Sequence, residues 1–264
     1  MTNAALGSTV CYAGTHGGAS WRGRHVDDRA RFTTFLREVV RPRVADSDSG
    51  FAPDLRGLAT TGMATEFVER LLKAVPEPDG WEVGEALAEC ALAADSGREI
   101  HWPWNTVRDR RTPRASLPGT DLVGFCKQDD SVLLVFGEVK TSSEAGAPPN
   151  VMYGGSGMTW QLEESAKLLD IQRTLLQWLH PRCAAEPYRT LYEKAVGRFL
   201  ASQGKDILIV GVLIRDTQPN EADLQSRGKA LAQKLVSPTR IELFAWYLPV
   251  PISEWPKLLQ EKAP

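Results

Sequence analysis

The fold is decided by one stretch. It is Gly119-Thr120-Asp121-Leu122-Val123-Gly124-Phe125, the polar Lys127-Gln128-Asp129-Asp130-Ser131, and the apolar run from Val132 to Val139 that ends Gly137-Glu138-Val139-Lys140. Two greasy segments around a short polar one read as a β-hairpin. A turn centred between Asp129 and Asp130 pairs residues whose numbers sum to 259, which sets Asp121 opposite Glu138. An odd-length turn would slip the register by one residue and move Asp121 to the other face. Strand side chains alternate, so Glu138 and Lys140 share one face while Val139 enters the opposite layer. Directly opposed carboxylates have Cβ atoms roughly 5 Å apart and repel unless a proton or cation sits between them. The expectation is a cation site with a lysine beside it. A buried or edge ion pair of Lys140 with either acid is the plainer use of the same residues.

Working outward, Val83 to Ala94 has helical spacing, with Val83, Leu87, Cys90 and Ala91 on one side and Glu85 and Glu89 four apart on one face. After the hairpin, Thr141 to Gly157 reads as a loop. Thr159 to Leu179 reads as one long helix ended by Pro181, and Tyr188 to Ser202 as another. Asp206 to Arg215 is a continuous apolar run, the mark of a strand covered on both faces. Glu221 to Val236 is predicted helical, Ile241 to Leu248 a last strand, and Ile252 to Leu259 a closing helix. Helices alternating with strands predict an α/β domain with a mixed sheet and helices on both faces.

Upstream, the pattern is thinner. Val10 to Ala13 suits a short strand. Phe32, Phe35, Leu36, Val39 and Val40 recur at helical spacing up to Pro42, and Val44 to Pro53 reads as a loop. Ala64 to Val75 predicts an amphipathic helix burying Phe67, Val68, Leu71 and Leu72. Pro76-Glu77-Pro78-Asp79-Gly80 breaks the chain and marks a boundary, giving an N-terminal region over 1–78 and a main domain over 79–264.

Composition excludes more than it selects. The 264 residues are enough for one large domain, and 42% hydrophobic content supports a core. A net charge of −2 argues for neither a nucleic acid nor an anionic membrane, so any such contact must be local. Cys11, Cys90, Cys126 and Cys183 are scattered without metal spacing and read as buried free thiols of a reducing cytoplasm. Met1 to Gly14 lacks the pattern of a signal peptide, and Ile207 to Ile214 is too short to span a bilayer. No Gly-x-x-x-x-Gly-Lys-Ser/Thr loop and no Gly-x-Ser-x-Gly elbow occurs, and His16, His25, His101 and His180 are isolated.

Gly119-Thr120-Asp121 followed by Gly137-Glu138-Val139-Lys140 resembles the PD-(D/E)xK nuclease superfamily, with Thr-Asp in place of Pro-Asp. The resemblance spans roughly Val83 to Leu179 and implies a restriction-endonuclease-like core. It implies that Asp121 and Glu138 bind Mg²⁺ or Mn²⁺ and that Lys140 orients or activates the attacking water. It adds Glu85 as a further catalytic acid and metal ligand, with Glu89 as the alternative. Gln161 opens the next helix where some members carry a glutamine, but Ser165 stands where their tyrosine would be. DNA is then the implied substrate. Arg108, Arg110, Arg111 and Arg114 are candidates to grip its backbone, and Trp102 or Trp104 to stack on an unpaired base. A solvated loop beside two core tryptophans is the alternative.

Gly84-Glu85-Ala86-Leu87, Trp104-Asn105, Gly119-Thr120-Asp121 with Gly124-Phe125, and Gly137-Glu138-Val139-Lys140 together are similar to the nuclease subunit of Hachiman-type antiphage systems. That similarity implies a superfamily 2 helicase as partner and DNA degradation once damaged or invading DNA is sensed. It makes residues 1–78 a candidate partner contact.

Overall fold

A computed structural model describes residues 6–74, 77–95, 97, 99–105, 109 and 119–260. Its spine is a seven-stranded mixed sheet in the order β1-β2-β7-β6-β5-β4-β3. The strands are β1 (Thr9–His16), β2 (Ala19–His25), β3 (Glu99–His101), β4 (Leu122–Gln128), β5 (Ser131–Ser142), β6 (Ile207–Arg215) and β7 (Arg240–Tyr247). β2, β7, β6 and β5 run parallel, while β1, β4 and β3 add antiparallel edges. Every residue of β6 is buried. Its apolar continuity follows from a layer of helices on each side.

Alternation divides the core in two. Leu208, Val210, Val212 and Ile214 face one layer, with Leu133, Val135 and Val139 of β5. On that side lie α1 (Arg29–Phe35), α5 (Gly80–Ala93) and α10 (Trp255–Gln260). Ile207, Ile209 and Leu213, with Val132, Leu134 and Phe136, face the other. There lie α6 (Met158–Lys167), α7 (Leu169–Arg182), α8 (Tyr188–Ala201) and α9 (Gln225–Lys234). The mixed sheet flanked by helices is the α/β architecture that the pattern predicts.

The hairpin register is the one that the two-residue turn requires. Leu122 pairs with Gly137, Val123 with Phe136, and so on to Gln128 with Ser131. Asp129 turns the chain at φ 51°, a left-handed conformation that Asp tolerates.

Several expectations are corrected. The sheet crosses the boundary read at 78/79, because β1 and β2 join it through β7, and Phe32, Phe35 and Leu36 share a core with α5. Pro42 does not stop its helix. A π-helical segment over Leu36–Val40 leads into α2 (Arg41–Val44), where the missing N–H of Pro42 falls in a first turn that needs no donor. Residues 44–53 are not all loop, since α3 (Phe51–Gly57) begins within them. In α4 (Gly62–Lys73) Val68 alone of the four named residues is buried, while Phe67 and Leu71 are exposed, because α4 packs on α3 rather than on the sheet. The long helix breaks at Leu168, whose backbone is extended. The buried Gln172 amide donates to Ser165 O at 3.3 Å and Ala166 O at 2.9 Å, capping carbonyls that the break leaves open. Pro181 lies inside α7 rather than beyond it. Cys11 is exposed rather than buried.

Candidate active site

The site forms where β5 leaves the sheet. β5 is 12 residues long and outruns β4, so Glu138 and Lys140 extend past the pairing that ends at Leu122–Gly137. Hydrogen bonds hold the two residues before β4 against β5 beyond the paired ladder. Asp121 N–H donates to Gly137 O at 3.0 Å, and the Thr120 hydroxyl donates to the same carbonyl. Asp121 Oδ2 in turn accepts from Val139 N–H at 2.9 Å. Thr120-Asp121 is thus clamped against Gly137-Glu138-Val139. A side chain at Gly137 would strike Val210 O, its Cβ falling 2.5 Å away.

These bonds set the two carboxyls within hydrogen-bonding reach of each other. Lys140 Nζ donates to Glu138 Oε1 at 2.6 Å. The Glu138 side chain is 2% exposed and that of Lys140 is 20% exposed. Burial pushes the Glu138 carboxyl up to about 8, the Asp121 charge pushes the same way, and Lys140 opposes both. Burial also raises Asp121, against the Val139 N–H, Glu138 and Lys140. Near neutral pH the pair therefore holds a proton between its oxygens, a place that a cation can take.

The carboxyls open into a pocket of about 520 Å³. Its walls come from both helical layers. α5 contributes Trp81 and Glu85, and α6 contributes Trp160, Gln161 and Glu164. α5 comes this close to the end of β5 because residue 84 is glycine; a Cβ there would fall 2.5 Å from the Thr141 methyl. On the other side, the Ser165 hydroxyl contacts Gly119 O at 3.2 Å and Gln161 O at 2.9 Å, tying α6 to the loop that carries Asp121.

Asp121, Glu138, Lys140 and Glu85 thus meet in one pocket. Glu89 does not join them. It is buried in an ion pair with Arg43, 2.5 Å from Nε, and Arg43 also donates to Trp104 O. Trp104 is wholly buried against Trp178, at 5.6 Å between ring centroids, so it cannot stack on a base. Trp102 is half-buried and donates to Glu89 O at 3.0 Å. Arg108, Arg110, Arg111 and Arg114 lie outside the described residues. The sequence reading missed Trp160 and Glu164, although Glu164 lies four residues after Trp160 and three after Gln161, the spacings that bring side chains together on a helix. It also missed Trp81, four residues before Glu85.

Among the described residues no group of three or more His, Cys, Asp or Glu is arranged to hold a metal ion. A hydrated Mg²⁺ does not need one. It commonly keeps several waters and takes one or two carboxylates together with substrate phosphate. The donor set fits that habit, with two carboxyls sharing one place and room for water beside them. The pocket also holds Gln161 Oε1, a buried acceptor with no partner among the described residues. Among those residues no helix is long and apolar enough to cross a membrane. No protein-family model matches the chain, and no curated protein does.

Proposed function

We propose that this chain is a divalent-metal-dependent DNA nuclease that hydrolyses phosphodiester bonds, acting in the cytoplasm as the effector subunit of an antiphage complex with a helicase partner. One observation supports the chemistry above the rest. Asp121 and Glu138 share a buried place that needs a proton or a cation, and Lys140 lies against it. The helicase partner and the defence role draw on the resemblance of the motifs alone.

Asp121 and Glu138 would hold Mg²⁺ or Mn²⁺, with Glu85 as a further acid. When bound, the metal supplies a nucleophilic water at neutral pH and neutralises charge on phosphate oxygens. Asp121 is held in position by the Val139 N–H. Lys140 places a cation at the pocket wall, where it would neutralise charge on the scissile phosphate. The half-closed pocket lowers the local dielectric and strengthens each of these contacts.

The test is plasmid cleavage with Mg²⁺ or Mn²⁺ by the purified chain and by the chain with its helicase. Glu138→Ala and Lys140→Ala should each lower cleavage by at least about a hundredfold while the circular dichroism stays native. Full cleavage by both variants would remove these residues from the site.

A second reading is a silent nuclease fold that binds DNA or a partner without cutting. The closed Lys140–Glu138 ion pair favours it, since it partly satisfies the acids without a metal. Calorimetry with Mn²⁺ separates the two, because a silent site shows no heat that Asp121→Ala abolishes.

A further inference from the structure

The chain has eight tryptophans. Trp21, Trp104, Trp246 and Trp255 are buried, and Trp102 and Trp178 are half-buried. Only Trp81 and Trp160 are exposed, at 42% and 45%, and both line the pocket of Asp121, Glu138 and Lys140. Core packing does not account for that coincidence. The two indoles stand on helices that cover opposite faces of the sheet, so they reach the pocket from its two sides. Indoles exposed to this degree at a pocket mouth are large, rigid surfaces suited to a flat apolar ligand.

We propose that Trp81 and Trp160 stack on unpaired bases, so that the site takes single-stranded DNA in preference to duplex. The inference rests on the nuclease reading for the identity of the ligand. In a duplex both faces of every internal base are covered, and exposing one costs a few kcal/mol of unstacking. A single strand presents its base faces at no such cost, and stacking on aromatic side chains tolerates any sequence. The charges agree with this division of labour. Glu85, Asp121, Glu138 and Glu164 face the pocket with Lys140 as the one cation among the described lining residues. A phosphate backbone is therefore repelled unless a divalent cation bridges it. With Lys140 as the one Lys or Arg among the described lining residues, the pocket itself draws affinity from the metal and from stacking.

The experiment uses the cleavage-impaired Lys140→Gln chain, which keeps both metal-binding carboxyls, with Mg²⁺ and a fluorescein-labelled oligothymidylate, read by anisotropy and by quenching of tryptophan emission. A duplex of equal length is the competitor. Single strand should bind more tightly than duplex and quench the emission. Trp160→Ala and Trp81→Ala should each weaken single-strand binding by roughly 5- to 150-fold, and Trp160→Phe should retain most of it. Both side chains are exposed, so truncation leaves the core intact, and a thermal melt checks this. Equal affinity for duplex, alanine variants that bind like their parent, or no binding of single strand at all would each overturn the proposal. Wild-type chain with Mn²⁺ on the same oligonucleotide reports on the nuclease reading separately. Tryptophan-dependent binding without cleavage overturns that reading alone, and cleavage with tryptophan-independent binding overturns the stacking alone.

Discussion

Glu138 near the end of β5 and Arg215 at the end of β6 sit on the same sheet and are equally hidden, at 2% and 1% exposed. Their surroundings differ in the sign of what remains. Arg215 meets Asp223 at 2.6 Å, and Asp223 takes the Tyr247 hydroxyl at 2.8 Å, with Tyr12 2.7 Å beyond. Arg215 also donates to Glu144 O and, at 3.0 Å, to Gly146 O, so it anchors the loop that follows the site strand. Positive and negative charge cancel there, and the cluster is closed. At Glu138 two carboxyls meet one ammonium. With both acids ionised a net negative charge would be left, so the pair takes a proton or a cation, and the group opens on a pocket. The contrast separates two uses of buried charge. A balanced pair holds the fold, whereas an unbalanced one demands a proton or a ligand.

Three measurements sharpen or break this contrast. Arg215→Ala should have the largest effect on stability, a loss of about 3–5 kcal/mol in urea unfolding, because it strands the Asp223 charge in the core. A loss below about 1 kcal/mol would mean that the closed cluster is not structural.

Next is the pH response of the metal-free chain. The Glu138 carboxyl lies at about 8 in the folded chain against 4.5 for an ordinary glutamate. Between those values the folded state holds a proton that the unfolded state has lost, so stability falls as the pH rises. Below the window both states are protonated, and above it neither is, so the slope vanishes at each end. From pH 6 to pH 8 the loss should be about 2 kcal/mol, and Glu138→Gln should flatten it. Saturating Mn²⁺ should also reduce it, since the metal takes the place of the proton. A flat profile in the wild type would remove the surplus charge from the account.

The smallest effect distinguishes the two helix acids. Glu89→Gln should cost about 1–2 kcal/mol through the Arg43 pair and leave Mn²⁺ affinity unchanged. Glu85→Gln should weaken Mn²⁺ binding by about tenfold in calorimetry, as loss of a ligand or a supporting acid does. The reverse pattern would exchange their roles.

The site was legible where geometry is local. The pairing from Gln128–Ser131 to Leu122–Gly137 follows from a two-residue turn and the two-residue period of strands, while Asp121 lies one residue beyond the paired ladder. Glu85 and Glu89 could not be told apart from sequence, because residues four apart share a helix face. The distinction came from Arg43, a residue 46 positions upstream of Glu89, and from Gly84, which lets α5 meet the end of β5. The tryptophans failed for a related reason. Trp104 and Trp160 have the same chemistry, and only packing makes one core and the other pocket wall. The α4 stripe misled because amphipathic spacing shows that a face is apolar, not that something covers it.

By itself the sequence determined the alternation of strands and helices, the hairpin with its register, and the acid-acid-lysine set at one strand end. Each depends on neighbours within about 20 residues, where backbone periodicity and turn length leave little choice. The tertiary structure decided that β1 and β2 join the same sheet, that α5 and α6 bring Glu85, Trp81 and Trp160 to one pocket from opposite faces, and that Arg215 is cancelled while Glu138 is not. Those outcomes depend on which distant segments share a core and on how much water they exclude. Burial and charge balance are properties of the packed whole, and no local pattern encodes them.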